Sequence, residues 1–274
     1  MKKKIIISSF TIIILIFATF LYARYIGTSG LKVKEYTIDA NITDNFYGLK
    51  IVHFTDLHYK MTTHKQDLDI IVNKINLIKP DIVIFTGDLI DKSVTVTEQI
   101  KLELIDCLSK INVKIGKYAV NGNHDKDEFK IIMNNSGFNI LNNEYDLIYK
   151  ETNYPILIAG INSNSIDKRH INEKIKTTYE YIDSHEIQYK ILILHEPDYS
   201  DFKNFDLILA GHSHNSQINI PIVKNIVKVN GAKKFYKPYY KVNNNDLFIS
   251  SGIGTSKMKI RLFNHPSFNF YRIV

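Results

Sequence analysis

A chain of 274 residues, 45% of them hydrophobic, can close one large α/β core or two small ones, which excludes an intrinsically disordered protein. The formal charge of +7 includes Lys2, Lys3, Lys4 and Arg24, which flank an apolar run; the remaining +3 suits an anionic lipid or polymer and is too small to mark a nucleic-acid groove. Cys107 is the only cysteine, which excludes an intrachain disulfide and a cysteine-based metal site, and Leu104, Ile105 and Leu108 around it mark a buried small hydrophobe.

Residues 1–25 are expected to form a transmembrane anchor or signal-anchor. Ile5 to Tyr22 is an 18-residue run without a charge. At about 1.5 Å per residue it just spans a hydrocarbon core of about 30 Å. A cleaved signal peptide is the competing reading, but Leu21-Tyr22-Ala23 lacks the small residue expected two places before Ala23. The lysines before the run favour an inside amino terminus, which puts a single-pass protein in the cell membrane with its main domain on the extracytoplasmic face.

Residues 26–45 read as a tether and first strand, in which Val33, Tyr36 and Ile38 alternate before an Asn- and Asp-containing turn. Residues 46–274 read as one main domain. Lys50 to Thr55 is a strand ending in Asp56, and Leu68, Ile71, Val72, Ile75 and Ile78 follow at helical spacing until Pro80 stops them. The unit repeats with a strand over 81–86 and a helix over 97–108, and a third strand over 117–120 leads to Gly122-Asn123-His124. Further strands are predicted over 156–160, 190–194, 206–210, 226–229, 247–250 and 268–273, with a helix near 172–182. Continuous apolar strands alternating with amphipathic helices indicate parallel or mixed sheets covered by helices. Phe235 to Lys241 reads as a surface hairpin.

Five polar clusters follow five apolar runs: Asp56-Leu57-His58, Gly87-Asp88 through Asp91, Gly122-Asn123-His124-Asp125, His195-Glu196-Pro197, and Gly211-His212-Ser213-His214. Carboxyl ends of strands are where α/β folds place ligands. Hard oxygen and imidazole donors without cysteine suit manganese, iron or zinc. Asp56, His58, Asp88, Asn123, His195, His212 and His214 exceed what one ion can use while keeping an open position. Two divalent ions about 3.5–4 Å apart activate water and clamp an in-line displacement at phosphorus. The chemistry indicated is phosphoester hydrolysis. His124 remains to protonate the leaving alkoxide, with a nearby carboxylate to fix its tautomer and raise its pKa.

These blocks, in this order, resemble the calcineurin-like metallophosphoesterase superfamily: Asp-x-His, Gly-Asp-x-x-Asp, Gly-Asn-His-Asp/Glu, a lone His, and Gly-His-x-His. The resemblance implies a four-layer αββα sandwich, two mixed sheets flanked by helices. It implies one metal on Asp56, His58 and His214, a second on Asn123, His195 and His212, and Asp88 between them. His124 takes the place of the proton donor and Asp91 that of its orienting carboxylate. The anchor, Gly211 to Gln217 and Gly252-Ile253-Gly254-Thr255-Ser256 are similar to the membrane-anchored bacterial subgroup resembling YkuE and YaeI. That similarity implies phosphodiesterase or pyrophosphatase action on lipid-linked, nucleotide-lipid (UDP-diacylglucosamine-like) or cell-envelope phosphoesters. Two departures fall where substrate is gripped: Asn215-Ser216 replace glycines, and Lys92 stands where related protein phosphatases carry arginine.

A non-catalytic, metal-dependent binding scaffold is an alternative, although such modules lose ligands and none is missing here; a nuclease of the same fold is disfavoured by the anchor and the modest charge. His53 is expected to pack within its strand, and His64, His170, His185 and His265 to lie on the surface. Asp125 is read as a helix cap, and Gly252 and Gly254 as turn residues or points of close backbone approach. The oligomeric state is left open.

Overall fold

β-branched runs that are apolar on both faces build two central sheets. The computed structural model describes residues 2–274 other than 41, 152–153, 164–172, 174, 201, 221–228 and 257. The strands of the first half are β1 (Lys32–Ile38), β2 (Leu49–Phe54), β3 (Ile82–Phe85), β4 (Gly116–Ala119), β5 (Asn139–Ile140) and β6 (Tyr145–Ile148). Those of the second are β7 (Ile156–Ile161), β8 (Tyr189–Leu194), β9 (Leu207–Ala210), β10 (Tyr239–Val242), β11 (Asn245–Ile249) and β12 (Ser267–Ile273). The first sheet runs β1, β12, β2, β3, β4, β5 and the second β10, β11, β9, β8, β7, β6. Both are mixed: β12 meets β2 antiparallel in the first, and β10 and β6 are antiparallel edges of the second.

Helices α2 (Lys65–Ile78), α3 (Glu98–Ser109) and α4 (Asp127–Asn135) bury Leu68, Ile71, Leu104, Leu108 and Phe129 against one face of the first sheet. The opposite face meets the second sheet, where Ile51, Ile82 and Ile84 pack with Ile156, Ile191 and Ile193. The outer face of the second sheet carries Leu192 and Ile208 under Ile175, Phe202 and Phe205, with Tyr179 and Ile182 of α5 (Lys176–Ser184) against them. The order is helix, sheet, sheet, helix, the four layers implied by the resemblance. Strand alternation creates it: Ile51 and Ile84 face the neighbouring sheet, while Val52 and Phe85 face the helices.

Local chemistry sets the boundaries. The His64 N–H donates to Asp67 Oδ2 at 2.8 Å at the start of α2, and Lys79 turns left-handed at φ 54° before Pro80. Thr97 caps α3 by accepting the Ile100 N–H at 3.3 Å. The expected hairpin begins later than predicted, because Phe235 is buried; β10 and β11 turn at Asn243-Asn244, both at positive φ. The strand predicted over 226–229 falls mostly outside the described residues, as does the start of the helix predicted near 172. His53 packs inside the first sheet, with Nε2 2.8 Å from Thr86 Oγ1, and Cys107 is buried. His64 and His185 are exposed. β1 is part of the sheet, paired in parallel with β12 along its whole length.

Helix α1 (Lys2–Leu21) continues into a π-helical turn, Tyr22–Ile26. Lys3–Ile26 has mean hydropathy 2.5 and is long and apolar enough to cross a membrane. Its large apolar side chains are exposed.

Side chains from both sheets are fully buried at the seam between them. Ile193→Ala, which opens a cavity among fully buried neighbours, is expected to cost about 2–5 kcal/mol. Urea unfolding of the parent and variant measures it; a change below ~1 kcal/mol would contradict a tightly packed seam.

Candidate metal centre

Each cluster emerges where a strand ends. Asp56 and His58 follow β2, Asp88 and Asp91 follow β3, and Asn123 and His124 follow β4, three adjacent parallel strands of the first sheet. His195 follows β8, and His212 and His214 follow β9, on the second sheet. The site therefore forms where the carboxyl edges of the two sheets meet.

All nine residues singled out from the sequence converge there. Asp56 Oδ1 lies 3.3 Å from His214 Nε2 and 3.8 Å from His58 Nε2, and those two nitrogens are 3.2 Å apart. On the other side, His195 Nε2 lies 3.1 Å from His212 Nδ1, 3.2 Å from Asn123 Oδ1 and 3.3 Å from Asp88 Oδ2. Asp88 Oδ2 is also 3.6 Å from His58 Nε2, so one carboxylate oxygen faces both groups. Donors held about 2.1 Å from a shared cation sit about 3.0–3.5 Å from one another, which matches most of these separations. Asp56 Oδ1 is buried without a hydrogen-bond partner, an acceptor that a cation would satisfy. The donors present thus fit divalent ions.

Outer contacts set which ring nitrogen faces inward. His195 Nδ1 donates to the Thr86 carbonyl at 2.6 Å, and His212 Nε2 donates to the Asn230 carbonyl at 2.6 Å. Each therefore turns its other nitrogen to the site. Burial disfavours charge on His195 and His58, yet neighbouring carboxylates prevail. Asp88 and then Asp56 raise His195 to about 10, and Asp56, Asp91 and Asp88 raise His58 to about 9. Against the same burial, the histidines hold Asp56 and Asp88 well below the usual carboxylate range. Burial, with the charges of His58 and Arg261, drops His214 to about 3.

His124 Nδ1 sits 3.4 Å from Asp91 Oδ2 and 3.5 Å from the Lys92 N–H, and its own backbone N–H donates to Asp88 Oδ1 at 2.9 Å. Its pKa moves opposite to the expectation: burial lowers it, and Asp88 and Asp91 do not make up the difference. Asp91 Oδ2 also lies 3.3 Å from His58 Nδ1, so this carboxylate stands between the proton-donor candidate and a ligand candidate.

The backbone is bent to make this convergence. Asp56, His58, Asp88, His212 and His214 have φ between 42° and 65°, a region that side-chain-bearing residues avoid and that recurs at functional sites. Asn215 (φ 45°) and Ser216 (φ 67°) are left-handed too, a conformation that glycine adopts without strain. At Gly122 a Cβ would overlap the Asp88 carboxylate, and at Gly252 it would press on Asp56.

Two residues carry roles that the sequence did not reveal. Asp125 does not cap α4, whose N-cap is Lys126. Its buried carboxylate accepts the N–H groups of Asp88, Leu89 and Gly122, each at 2.8 Å, and so ties the loops that follow β3 and β4 together. Burial and then the Asp88 charge raise it to about 7. Arg261 is fully buried; Nη2 donates to the carbonyls of Ser251, Gly252 and Gly254 at 2.8, 3.0 and 2.6 Å and reaches His214 Nδ1 at 3.3 Å. Asp125 stands inside a visible motif, whereas no spacing or neighbour in the sequence distinguishes Arg261 from a surface basic residue. A cavity of about 510 Å³ opens on the centre, and its lining includes Asp88, His124 and His212 together with the apolar Ile218, Val229 and Met258. Lys92 and Ser216, at the two departures from the family pattern, both line it.

A family model described as calcineurin-like phosphoesterase matches residues 49–216. The uncharacterized metallophosphoesterase YkuE of Bacillus subtilis (strain 168) is 28% identical over 262 residues, covering 92% of this chain and 88% of that protein. YkoQ of the same organism, with the same description, is 28% identical over 275 residues, covering 95% and 97%. UDP-2,3-diacylglucosamine pyrophosphatase LpxG of Chlamydia muridarum (strain MoPn / Nigg) is 30% identical over 110 residues, 39% of this chain and 32% of that protein.

Asp125→Ala would leave three backbone N–H groups without their acceptor. At about 1–3 kcal/mol for each buried orphan, a loss of about 3 kcal/mol or more is expected. Asp125→Asn keeps one accepting oxygen and should lose less. Urea midpoints compare them, and equal stability of both variants with the parent would remove Asp125 from this role.

Proposed function

The chain belongs to the calcineurin-like phosphoesterase family and is a metallophosphoesterase, and from that premise we propose that it is a membrane-anchored phosphodiesterase or pyrophosphatase with a dinuclear metal centre. The observation that carries this reading is Asp88 Oδ2, placed 3.3 Å from His195 Nε2 and 3.6 Å from His58 Nε2, between two groups of donors. Asp56, His58 and His214 would hold one divalent ion, manganese, zinc or iron, and Asn123, His195 and His212 a second, with Asp88 shared. Such ions supply charge neutralisation at phosphoryl oxygens and an activated water.

The chain's own residues do the rest. Asp91 orients His124, which gives its proton to the leaving oxygen; with its pKa lowered by burial, protonated His124 is a stronger acid than a free imidazole. Lys92 faces the cavity and offers a positive charge to a phosphate oxygen. The apolar residues of the cavity lining, Ile218, Val229 and Met258, suit a lipid-linked phosphoester, and the partial likeness to a UDP-2,3-diacylglucosamine pyrophosphatase points the same way. Lys3–Ile26 would be a single span, with the amino-terminal lysines on the cytoplasmic side and the catalytic body outside.

Two variants test the assignment. Asp88→Asn should lower bound manganese and stop hydrolysis of an aryl phosphodiester; full metal content with parental turnover would sink the dinuclear reading. His124→Ala should keep its metal yet lose about 10²–10⁴-fold on alkyl diesters, whose leaving groups need a proton. The loss on p-nitrophenyl diesters should be much smaller. Metal loss parallel to activity loss would move His124 into the ligand set.

A further inference from the structure

The turn that ends the apolar helix is seated on the catalytic body beside the metal site. Ala23 is buried, and its carbonyl accepts the Arg261 N–H at 2.9 Å. Gly27 is packed so closely on Arg261 that a Cβ would overlap the Arg261 carbonyl. Arg261 is the residue whose side chain reaches His214. The segment around it is bound to the rim of the cavity as well: Gln217 Nε2 donates to the carbonyls of Met258 and Ile260 at 2.6 and 2.7 Å, and both Gln217 and Met258 line the cavity. Met258 and Arg261 are three positions apart, at most about 11 Å of chain. The cavity mouth and the end of the helix are therefore neighbours.

The outer surface of this junction is apolar and basic. Phe263 is 60% exposed, at a φ of 53° that a bulky residue rarely adopts. Its neighbours leave it no retreat: the Leu262 N–H donates to the Gln217 carbonyl at 3.1 Å, the Asn219 N–H to the Leu262 carbonyl at 2.9 Å, and Asn264 Nδ2 to the His214 carbonyl at 2.5 Å. Phe263 is thus held outward rather than loosely exposed. Tyr25 (66% exposed), Ile26, Met258 and Lys259 are exposed on the same two segments. Apolar side chains held into solvent, with a basic residue among them and a membrane-length helix ending beside them, match the chemistry of a bilayer interface.

We propose that the segment Met258 to Phe263, together with Tyr25 and Ile26, is a bilayer-contacting surface. It lays the cavity mouth against the membrane that α1 crosses, so that a phosphoester can reach the metal centre while its acyl chains stay in the lipid. This rests on the reading of α1 as an anchor. The contact also gives the linkage through Ala23 and Gly27 a purpose: it fixes the catalytic body at one tilt to the bilayer instead of leaving it on a free tether. Phe263 enters the acyl boundary and Lys259 stays at the level of anionic headgroups.

The chain contains no tryptophan, so one introduced residue reports alone. Full-length Phe263→Trp, and separately Met258→Trp, would be reconstituted into phosphatidylcholine and phosphatidylglycerol vesicles with or without brominated acyl chains. Leu77→Trp is the reference: Leu77 is 81% exposed near the carboxyl end of α2, where the chain re-enters the first sheet at the edge opposite the metal site. Blue-shifted emission that brominated lipid quenches is expected at positions 263 and 258, with neither at 77. If the protein floats with the vesicles but the Phe263→Trp and Met258→Trp emission is quenched by aqueous acrylamide as readily as Leu77→Trp, the contact is overturned and the anchor stands. If the protein does not float with the vesicles, the anchor reading falls and this inference with it.

Discussion

Two buried carboxylates, Asp56 and Asp88, face the same nitrogen, His58 Nε2, at 3.8 and 3.6 Å where the edges of two sheets meet, and a dry interior does not tolerate such charge uncompensated. Much of the site's construction answers that constraint. His58 and His195 respond in the chain itself, their imidazoles raised to about 9 and 10 by the carboxylates despite full burial. The same field that holds protons on these rings would favour divalent ions in their place. The orphaned Asp56 Oδ1 marks where the protein's own hydrogen bonding stops short.

The surrounding structure concentrates rather than dilutes this charge. Left-handed backbone at Asp56, His58, Asp88, His212 and His214 turns each side chain inward as its strand ends. Such conformations persist only when neighbours over-determine them. Asp125 and Arg261 are those neighbours: the first gathers the N–H groups of the Asp88 and Gly122 loops, and the second gathers the carbonyls of the Ser251 to Gly254 loop. One is a buried carboxyl group that accepts backbone N–H groups, and the other a buried cation that donates to backbone carbonyls. Ring orientation is set the same way, by the carbonyls of Thr86 and Asn230.

Arg261 also joins the site to the amino terminus. Its side chain reaches His214 while its backbone bonds to Ala23 at the end of the apolar helix. A residue that touches both makes the seating of the apolar helix and the geometry of the site parts of one packing arrangement. The parallel pairing of β1 with β12 reinforces this, because the chain leaving the helix enters the first sheet directly.

Much of the site was legible in the sequence because its logic is local. An apolar run followed by Asp, His or Asn says that a strand ends and a polar cluster begins; five repetitions in order point to the converging side chains and the helix-covered sheets, and a charge-free run points to the apolar helix, all without long-range information. What the chain could not disclose locally was decided by contacts between distant residues. Asp125 looks like a cap because the N–H groups it accepts at Asp88 and Leu89 lie more than thirty positions away. His124 looks like a histidine raised by carboxylates because dehydration, which reverses the shift, exists only once the loops close over it. Arg261 looks like surface because the carbonyls that make its burial tolerable converge only in the folded chain. Which side chains gather at the site follows from residue type and strand ends, whereas protonation, ring orientation and the seating of the helix on the site are properties of packing and desolvation.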